Sequence, residues 1–153
     1  MVNPIPKGFH SITPHLSVKG AAEFIDFLKR AFGAVELTRM PGPGGRIMHA
    51  SVRIGDSILM FSDFFPEFGS PAPTEGHWPL VLNLYVEDAD ETFAQALAAG
   101  CQVTMPLSDQ FWGDRYGHVR DQFGFTWAIA THKEDVTPEQ MKERHDAMFA
   151  SRV

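Results

Sequence analysis

The side chains best suited to chemistry lie in the stretch Phe111-Trp-Gly-Asp-Arg-Tyr-Gly-His-Val-Arg-Asp-Gln-Phe-Gly-Phe-Thr-Trp127. It sets aromatic, basic and imidazole groups between two turn signals, Gly113-Asp114 and Asp121-Gln-Phe-Gly124, and residues 125–131 after the second turn read as a strand. This is the pattern of a β-hairpin. Side chains alternate along a strand, so Tyr116, His118 and Arg120 project together while Val119 faces a core. Imidazole titrates near neutrality and suits proton transfer. A guanidinium holds a carboxylate, phosphate or phosphonate through two parallel hydrogen bonds, which an ammonium does less well.

The elements needed to position these groups can be read in order. Residues 11–18 form a strand with Thr13, His15 and Ser17 on one face and Leu16 and Val18 on the other. Pro14 removes a ladder donor, so this strand must lie at an edge or leave that N–H side unpaired. A helix over residues 21–32 carries Phe24, Phe27, Leu28, Ala31 and Phe32 at helical spacing and stops at Gly33. Strands are expected at 35–40, 46–54 and 57–62, the last two joined by Gly55-Asp56. Residues 64–79 are rich in Phe, Pro, Gly and Ser, with Pro66, Pro71, Pro73 and Pro79 blocking a regular ladder, and read as a linker.

The pattern then starts again: a strand at 80–86, a helix at 89–99 with Phe93, Ala96 and Leu97 inward and Gly100 as the stop, then strands near 102–105, 116–121 and 125–131. His15-Leu-Ser-Val18 lies over Asn83-Leu-Tyr-Val86, Gly33 over Gly100, and Ser51-Val-Arg53 over His118-Val-Arg120. The chain is a tandem repeat of a βαβββ unit. The expected organisation is a first module at 1–63, the linker at 64–79, a second module at 80–132 and a C-terminal helical extension at 133–153, all within one structural domain.

Composition narrows the function. The 153 residues are 44% hydrophobic and 21% charged, as in ordinary globular chains. A net charge of −6 argues against a general binder of nucleic acid or anionic membrane, both of which need a basic surface. A small-molecule partner is the expectation. One cysteine, Cys101, excludes an intrachain disulfide. The N-terminus has no apolar signal-peptide core and no apolar run approaches spanning length, so a cytoplasmic location is expected.

The duplicated βαβββ unit resembles the vicinal oxygen chelate superfamily, which contains glyoxalase I, bleomycin-resistance proteins and extradiol dioxygenases. His49-Ala-Ser-Val-Arg-Ile-Gly-Asp-Ser-Ile-Leu-Met-Phe-Ser-Asp63 and Phe111 to Gly124 look like its PhnB-like branch, and the resemblance covers about residues 9–132. It implies an α+β fold in which eight strands form a cupped mixed sheet with helices outside. Strand parity then gives a lining of Thr13, His15, Ser17, His49, Ser51, Arg53, Met60 and Ser62 from the first module. The second contributes Val81, Asn83, Tyr85, Tyr116, His118, Arg120 and Thr126. Of these, Ser17, Ser51, Arg53, Met60, Asn83, Tyr85, Tyr116 and Arg120, with Trp112, are the candidate ligand contacts, and His15, His49 and His118 the candidate acids or bases.

Metal-dependent members of the superfamily take one ligand from the first and last strand of each module. Here those positions hold Thr13, Met60, Val81 and Ala128, none a credible donor for a divalent cation. No cofactor is therefore expected; a shifted site built on His15, His49 and His118 is the alternative. The function implied is a metal-free cavity for a small anionic or aromatic molecule, or a lyase, isomerase or dioxygenase-like enzyme.

Structural roles compete with these assignments. His15 and His49 can be satisfied by backbone, and Arg53 and Arg120 by nearby acids such as Asp121. Phe111 and Trp112 suit either a cavity cap or a dimer interface. Pro41-Gly-Pro-Gly-Gly45 lacks the Lys-Ser/Thr of a phosphate loop and leads into a strand, so it is a hairpin connection. Cys101 has no cationic neighbour in sequence and reads as structural. Thr137-Pro-Glu-Gln140 is a capping box that starts a helix at Pro138, with Val136 placed to staple onto Met141. The thin apolar stripe of that helix, Met141, Met148 and Phe149, needs a docking surface on its own chain or on the second copy of a homodimer.

Overall fold

The computed structural model describes residues 2–72 and 76–150, so Pro73 of the linker and the last three residues of the C-terminal extension lie outside it. The chain forms two compact units, Met1–Pro79 and Leu80–Val153. The eight strands expected from the sequence form two four-stranded sheets, one in each unit.

In the first unit the elements are β1 (His15–Val18), α1 (Ala21–Phe32), β2 (Val35–Pro41), β3 (Ile47–Ile54) and β4 (Ser57–Asp63). The strand order is β1-β4-β3-β2, with β1 parallel to β4 and the other pairs antiparallel. Pro14 has the effect expected of it: β1 is an edge strand, and it begins at His15 rather than Ser11. Helix α1 buries Phe24, Phe27 and Leu28 completely, and the Phe24 ring meets Phe61 of β4 edge-on at 4.9 Å. At the β3–β4 turn Gly55 has φ +58 while Asp56 keeps an ordinary φ, the arrangement of a hairpin turn with glycine first.

The residue before α1 is Gly20, which has no side chain to cap the helix. Asp63, at the end of β4, does this from across the sheet. Its Oδ1 accepts from the backbone N–H groups of Gly20 at 3.0 Å and Ala21 at 2.9 Å, and its Oδ2 from that of Ile47 at 2.7 Å. Orphan donors at a helix start are thus tied to the strand that carries the core.

The second unit repeats the plan with β5 (Val81–Tyr85), α2 (Ala89–Ala98), β6 (Gln102–Asp109), β7 (Asp114–Arg120) and β8 (Thr126–His132), in the order β5-β8-β7-β6. The register is preserved between the units: His15 lies opposite Met60 as Asn83 lies opposite Ala128, and Ser51 opposite Met60 as His118 opposite Ala128. Capping is preserved too, with a different residue. Thr131, at the repeat position of Asp63, accepts through Oγ1 from Ala89 N–H at 2.8 Å and donates to the Val86 carbonyl. Asp88 adds an N-cap through its contact with Glu91 N–H at 3.0 Å.

Three expectations need correction. Leu97 of α2 is exposed, because the buried stripe runs through Ala89, Phe93 and Ala96 and leaves Leu97 at its rim. Strand β6 continues past Met105 and Pro106 to Asp109, since an edge strand with register shifts after Val103 and Met105 tolerates a missing donor. Strand β7 begins at Asp114 rather than Tyr116, so Asp114 is a strand residue with its side chain on the sheet rather than in a turn.

The β6–β7 contact leaves no room for a methyl group at Gly117, where a Cβ would stand 2.8 Å from Leu107 Cα and 2.9 Å from Leu107 N. Gly117→Ala is expected to push β6 away and lower stability by roughly 1–3 kcal/mol. Chemical denaturation tests this, and an unchanged midpoint would contradict the close approach.

Beyond β8, α3 (Pro138–Ala150) begins with the predicted capping box, made in both directions: Gln140 N–H to Thr137 Oγ1 at 3.2 Å and Thr137 N–H to Gln140 Oε1 at 3.0 Å. None of its residues is buried. Polar and ring contacts hold it instead. Arg144 pairs with Glu134 and donates to the Phe111 carbonyl, and the His145 ring lies 5.8 Å from Phe111. Among the described residues no helix is long and apolar enough to cross a membrane.

Candidate functional site

Each sheet has one face covered by its helix, and the parity of the strands puts the candidate residues on the opposite face. In the first unit, His15 and Ser17 of β1, Met60 and Ser62 of β4, and His49, Ser51 and Arg53 of β3 share that face. The His15 and His49 rings meet edge-on at 5.7 Å, and the Ser51 and Thr38 hydroxyls are 2.7 Å apart. Arg53 is exposed and has no ion pair or hydrogen bond among the described residues.

The second unit's equivalent face is built in rows. Asn83, Ala128 and His118 lie side by side on β5, β8 and β7, followed by Tyr85, Ala130 and Tyr116; Val81, Thr126 and Arg120 form the row at one end. At the other end Asp114 lies opposite His132. In the first three of these rows β8 contributes only the small side chains Thr126, Ala128 and Ala130, between larger polar and aromatic ones. His118 Nε2 is 2.8 Å from the Tyr116 hydroxyl. The rings of Phe111, Trp112, Tyr116 and His118 form a chain with successive centroid separations of 5.1 Å.

Asp114, only 3% exposed, anchors this face. Its Oδ2 accepts from the Tyr85 hydroxyl at 2.9 Å and from Trp112 Nε1 at 3.0 Å, while its Oδ1 lies 2.7 Å from His132 Nδ1. His132 Nε2 reaches Asp135 at 2.8 Å. Burial pushes the Asp114 carboxyl up, but the bonds from His132, Tyr85 and Trp112 outweigh it and hold the group below the usual carboxylate range. The Asp114 and Asp135 carboxylates raise the His132 imidazole, whereas burial lowers that of His118. An NMR titration should therefore resolve His118 below and His132 above the ordinary histidine value; the reverse order would contradict these surroundings. Burial thus favours the neutral form of the His118 imidazole, the form that can accept a proton.

Arg120 is not neutralised by Asp121, the acid beside it in sequence. Asp121 Oδ1 is taken by the N–H groups of Phe123 at 2.8 Å and Phe125 at 3.0 Å, and Oδ2 by Trp127 Nε1 at 2.8 Å. Cys101 is buried, and burial, with the Asp121 charge adding to it, pushes its thiol up to about 12. Buried and held as the thiol, it has a packing role.

The expected site residues are therefore gathered on two faces. His15, His49, Ser17, Ser51, Arg53 and Met60 belong to the first; Asn83, Tyr85, Tyr116, His118 and Arg120 belong to the second, with Trp112 beside them. Sequence reasoning missed His132 and took Asp114 for a turn signal. Strand parity offered the available clue, since both continue the alternation that contains Tyr116 and Ala130.

Residues 8–129 match the pattern of the glyoxalase/bleomycin resistance protein/dioxygenase superfamily. The chain belongs to that superfamily. An uncharacterized protein of Mycobacterium bovis, Mb0911c, is 42% identical over 136 residues, covering 86% of this chain and 90% of its own length. Among solved structures, TioX from Micromonospora sp. ML1 is 30% identical with a TM-score of 0.63, covering 84% of this chain and all of TioX. PA1353 from Pseudomonas aeruginosa is 29% identical with a TM-score of 0.66, covering 82% and 99%.

The superfamily's metal positions can be tested against these surroundings. Thr13 donates to the His10 carbonyl at 3.4 Å, Met60 offers a thioether between His15 and Ser51, Val81 is an exposed alkyl group, and Ala128 places a methyl between Asn83 and His118. Among the described residues no three His, Cys, Asp or Glu side chains gather closely enough to hold an ion. The donor set at these positions does not fit a divalent metal.

Proposed function

We propose that this superfamily member, of the PhnB-like branch, binds a small anionic or aromatic molecule directly, without a metal, on the second unit's face opposite α2. The observation that carries the reading is the convergence there of a guanidinium without a partner among the described residues, an imidazole, phenols and a carboxamide along the row of Thr126, Ala128 and Ala130. Aromatic walls supply contact area, and a few placed polar groups supply orientation, as in small-molecule sites generally. The branch assignment rests on the Phe111–Gly124 motif.

A thermal-shift screen of aromatic carboxylates and phosphonates in the presence of EDTA tests the reading. A ligand at a hundred times its dissociation constant should add about 2.7 kcal/mol to wild type. The effect should weaken in Asn83→Ala and His118→Ala. Stabilisation that EDTA abolishes and a divalent cation restores would overturn it.

The Tyr116–His118 contact favours a second reading, in which the bound molecule exchanges a proton with this pair and the protein is an isomerase or lyase. Solvent deuterium appearing in a bound carbon acid, lost in His118→Ala, would separate it from simple binding. For assembly we propose a homodimer to which α3 contributes, because Met148 and Phe149 remain 37% and 43% exposed on a helix with no buried residue. Removing residues 138–153 is expected to weaken association; a full-length chain that runs as a monomer in light scattering at micromolar concentration would contradict it.

A further inference from the structure

We infer that Arg120, with the side-chain amides of Gln102 and Gln122, forms a small-oxyanion subsite at the corner of the second unit where α2 runs into β6. This deepens the binding reading above and rests on it, because it assigns the place that receives the ligand's anionic end.

The first observation is an orphaned donor. Arg120 Nε is shielded from solvent and meets no acceptor, and the residue makes no hydrogen bond or ion pair among the described residues. A charged donor withdrawn from water in this way requires an acceptor, because burial without one is costly. The second observation is a pocket of about 160 Å³ beside it, lined by Gly100, Gln102, Arg120, Asp121 and Gln122. Water occupies roughly 30 Å³ in the liquid, so there is room for a small oxyanion with some of its hydration.

The lining suits an anion. Gln102 stands directly opposite Arg120 on β6, and neither Gln102 nor Gln122 is engaged in a side-chain hydrogen bond among the described residues, so both amides are free to donate. Gly100 has φ +108, and a Cβ there would meet the Gln122 amide at 3.5–3.6 Å, so glycine leaves that side of the pocket clear. The Asp121 carboxylate also lines the pocket, but both its oxygens accept from N–H groups of the hairpin turn and Trp127. Its negative charge is therefore held among its own donors and is not paired with Arg120. The ligand class is a tetrahedral or planar oxyanion: free phosphate, or the carboxylate of a larger molecule.

The arginine Nε–H resonances of ¹⁵N-labelled protein read the subsite directly. Inorganic phosphate, titrated at constant ionic strength, should shift the Arg120 Nε–H saturably. Followed at the backbone amides of Gly100 and Gln122 in the same pocket, phosphate binding should weaken at least tenfold in Arg120→Met and less in Arg120→Lys, while Arg30→Ala, on the exposed side of α1, should bind as wild type does. If Arg120→Met does not fold, the double variant Gln102→Ala/Gln122→Ala keeps the reporting arginine and should weaken the same titration. A shift produced by benzoate and not by phosphate identifies a ligand carboxylate as the occupant and supports the subsite. Absence of a shift with either anion overturns it. The two proposals fail separately: an aromatic acid that stabilises the protein without moving the Arg120 Nε–H removes the subsite alone. Phosphate that moves it, with no aromatic acid stabilising the protein, removes the aromatic-ligand reading alone.

Discussion

Replacing Asp121 by Ala is expected to lower the stability of the second unit by about 3–4 kcal/mol. The substitution leaves the N–H groups of Phe123 and Phe125 without their carboxylate and removes the acceptor from Trp127 Nε1, all at a buried site. Each buried donor left unsatisfied costs roughly 1–3 kcal/mol, and the total falls short of the sum because water enters the space vacated. For a chain of this length that is a fall in Tm of about 10 °C. Asp121→Asn should do roughly half as much damage. Its carbonyl oxygen keeps the two backbone donors, but its amide then faces the indole N–H, donor against donor. Denaturation followed by tryptophan fluorescence checks both, and a loss under about 1 kcal/mol in the alanine variant would mean that the hairpin turn is held by something else.

Asp114→Ala should be nearly as severe, by about 2–3 kcal/mol, and its effect should depend on pH. Three groups lose their acceptor: Tyr85 on β5, Trp112 in the turn and His132 on β8. The folded-state pKa of Asp114 is lowered, so its stabilisation is present above the unfolded value of about 3.9 and is lost as pH falls. That of His132 is raised, so its stabilisation is complete below the unfolded value of about 6.5 and is lost as pH rises through the folded pKa. The pair therefore stabilises most between about pH 4 and 6.5. The wild-type advantage over Asp114→Asn should peak in that window, with His132 in the variant titrating closer to the ordinary value. An advantage that is flat from pH 4 to 9 would show that the contact carries no linked proton.

Much of this architecture is visible in the sequence because two periodicities and a repeat agree. The 3.6-residue spacing of Phe24, Phe27 and Leu28 marks a helix, the alternation of Tyr116, His118 and Arg120 marks a strand face, and the Asn83/His15 equivalence fixes the register of both sheets. Contacts between residues distant in sequence are harder to read. Nothing local in Asp63 says that it caps a helix starting at Ala21, and nothing in Thr131 says that it does the same for α2. Asp114 follows a glycine and so looks like a turn residue, yet His132, on another strand, draws it into the sheet. Arg120 shows the limit from the other side. Its neighbour Asp121 looks like a salt-bridge partner in sequence, but the tight turn after β7 directs three donors to that carboxylate and leaves the guanidinium unpaired among the described residues.

The most direct measurement of metal-free binding is a backbone-amide NMR titration of ¹⁵N-labelled protein with the best aromatic acid from the screen, in EDTA throughout. Metal-free binding predicts saturable shifts concentrated at Asn83, Tyr85, Tyr116, His118, Ala128 and Ala130, with the same dissociation constant after a divalent cation replaces the chelator. Shifts that appear only once the cation is added, or that avoid these strands, would contradict it.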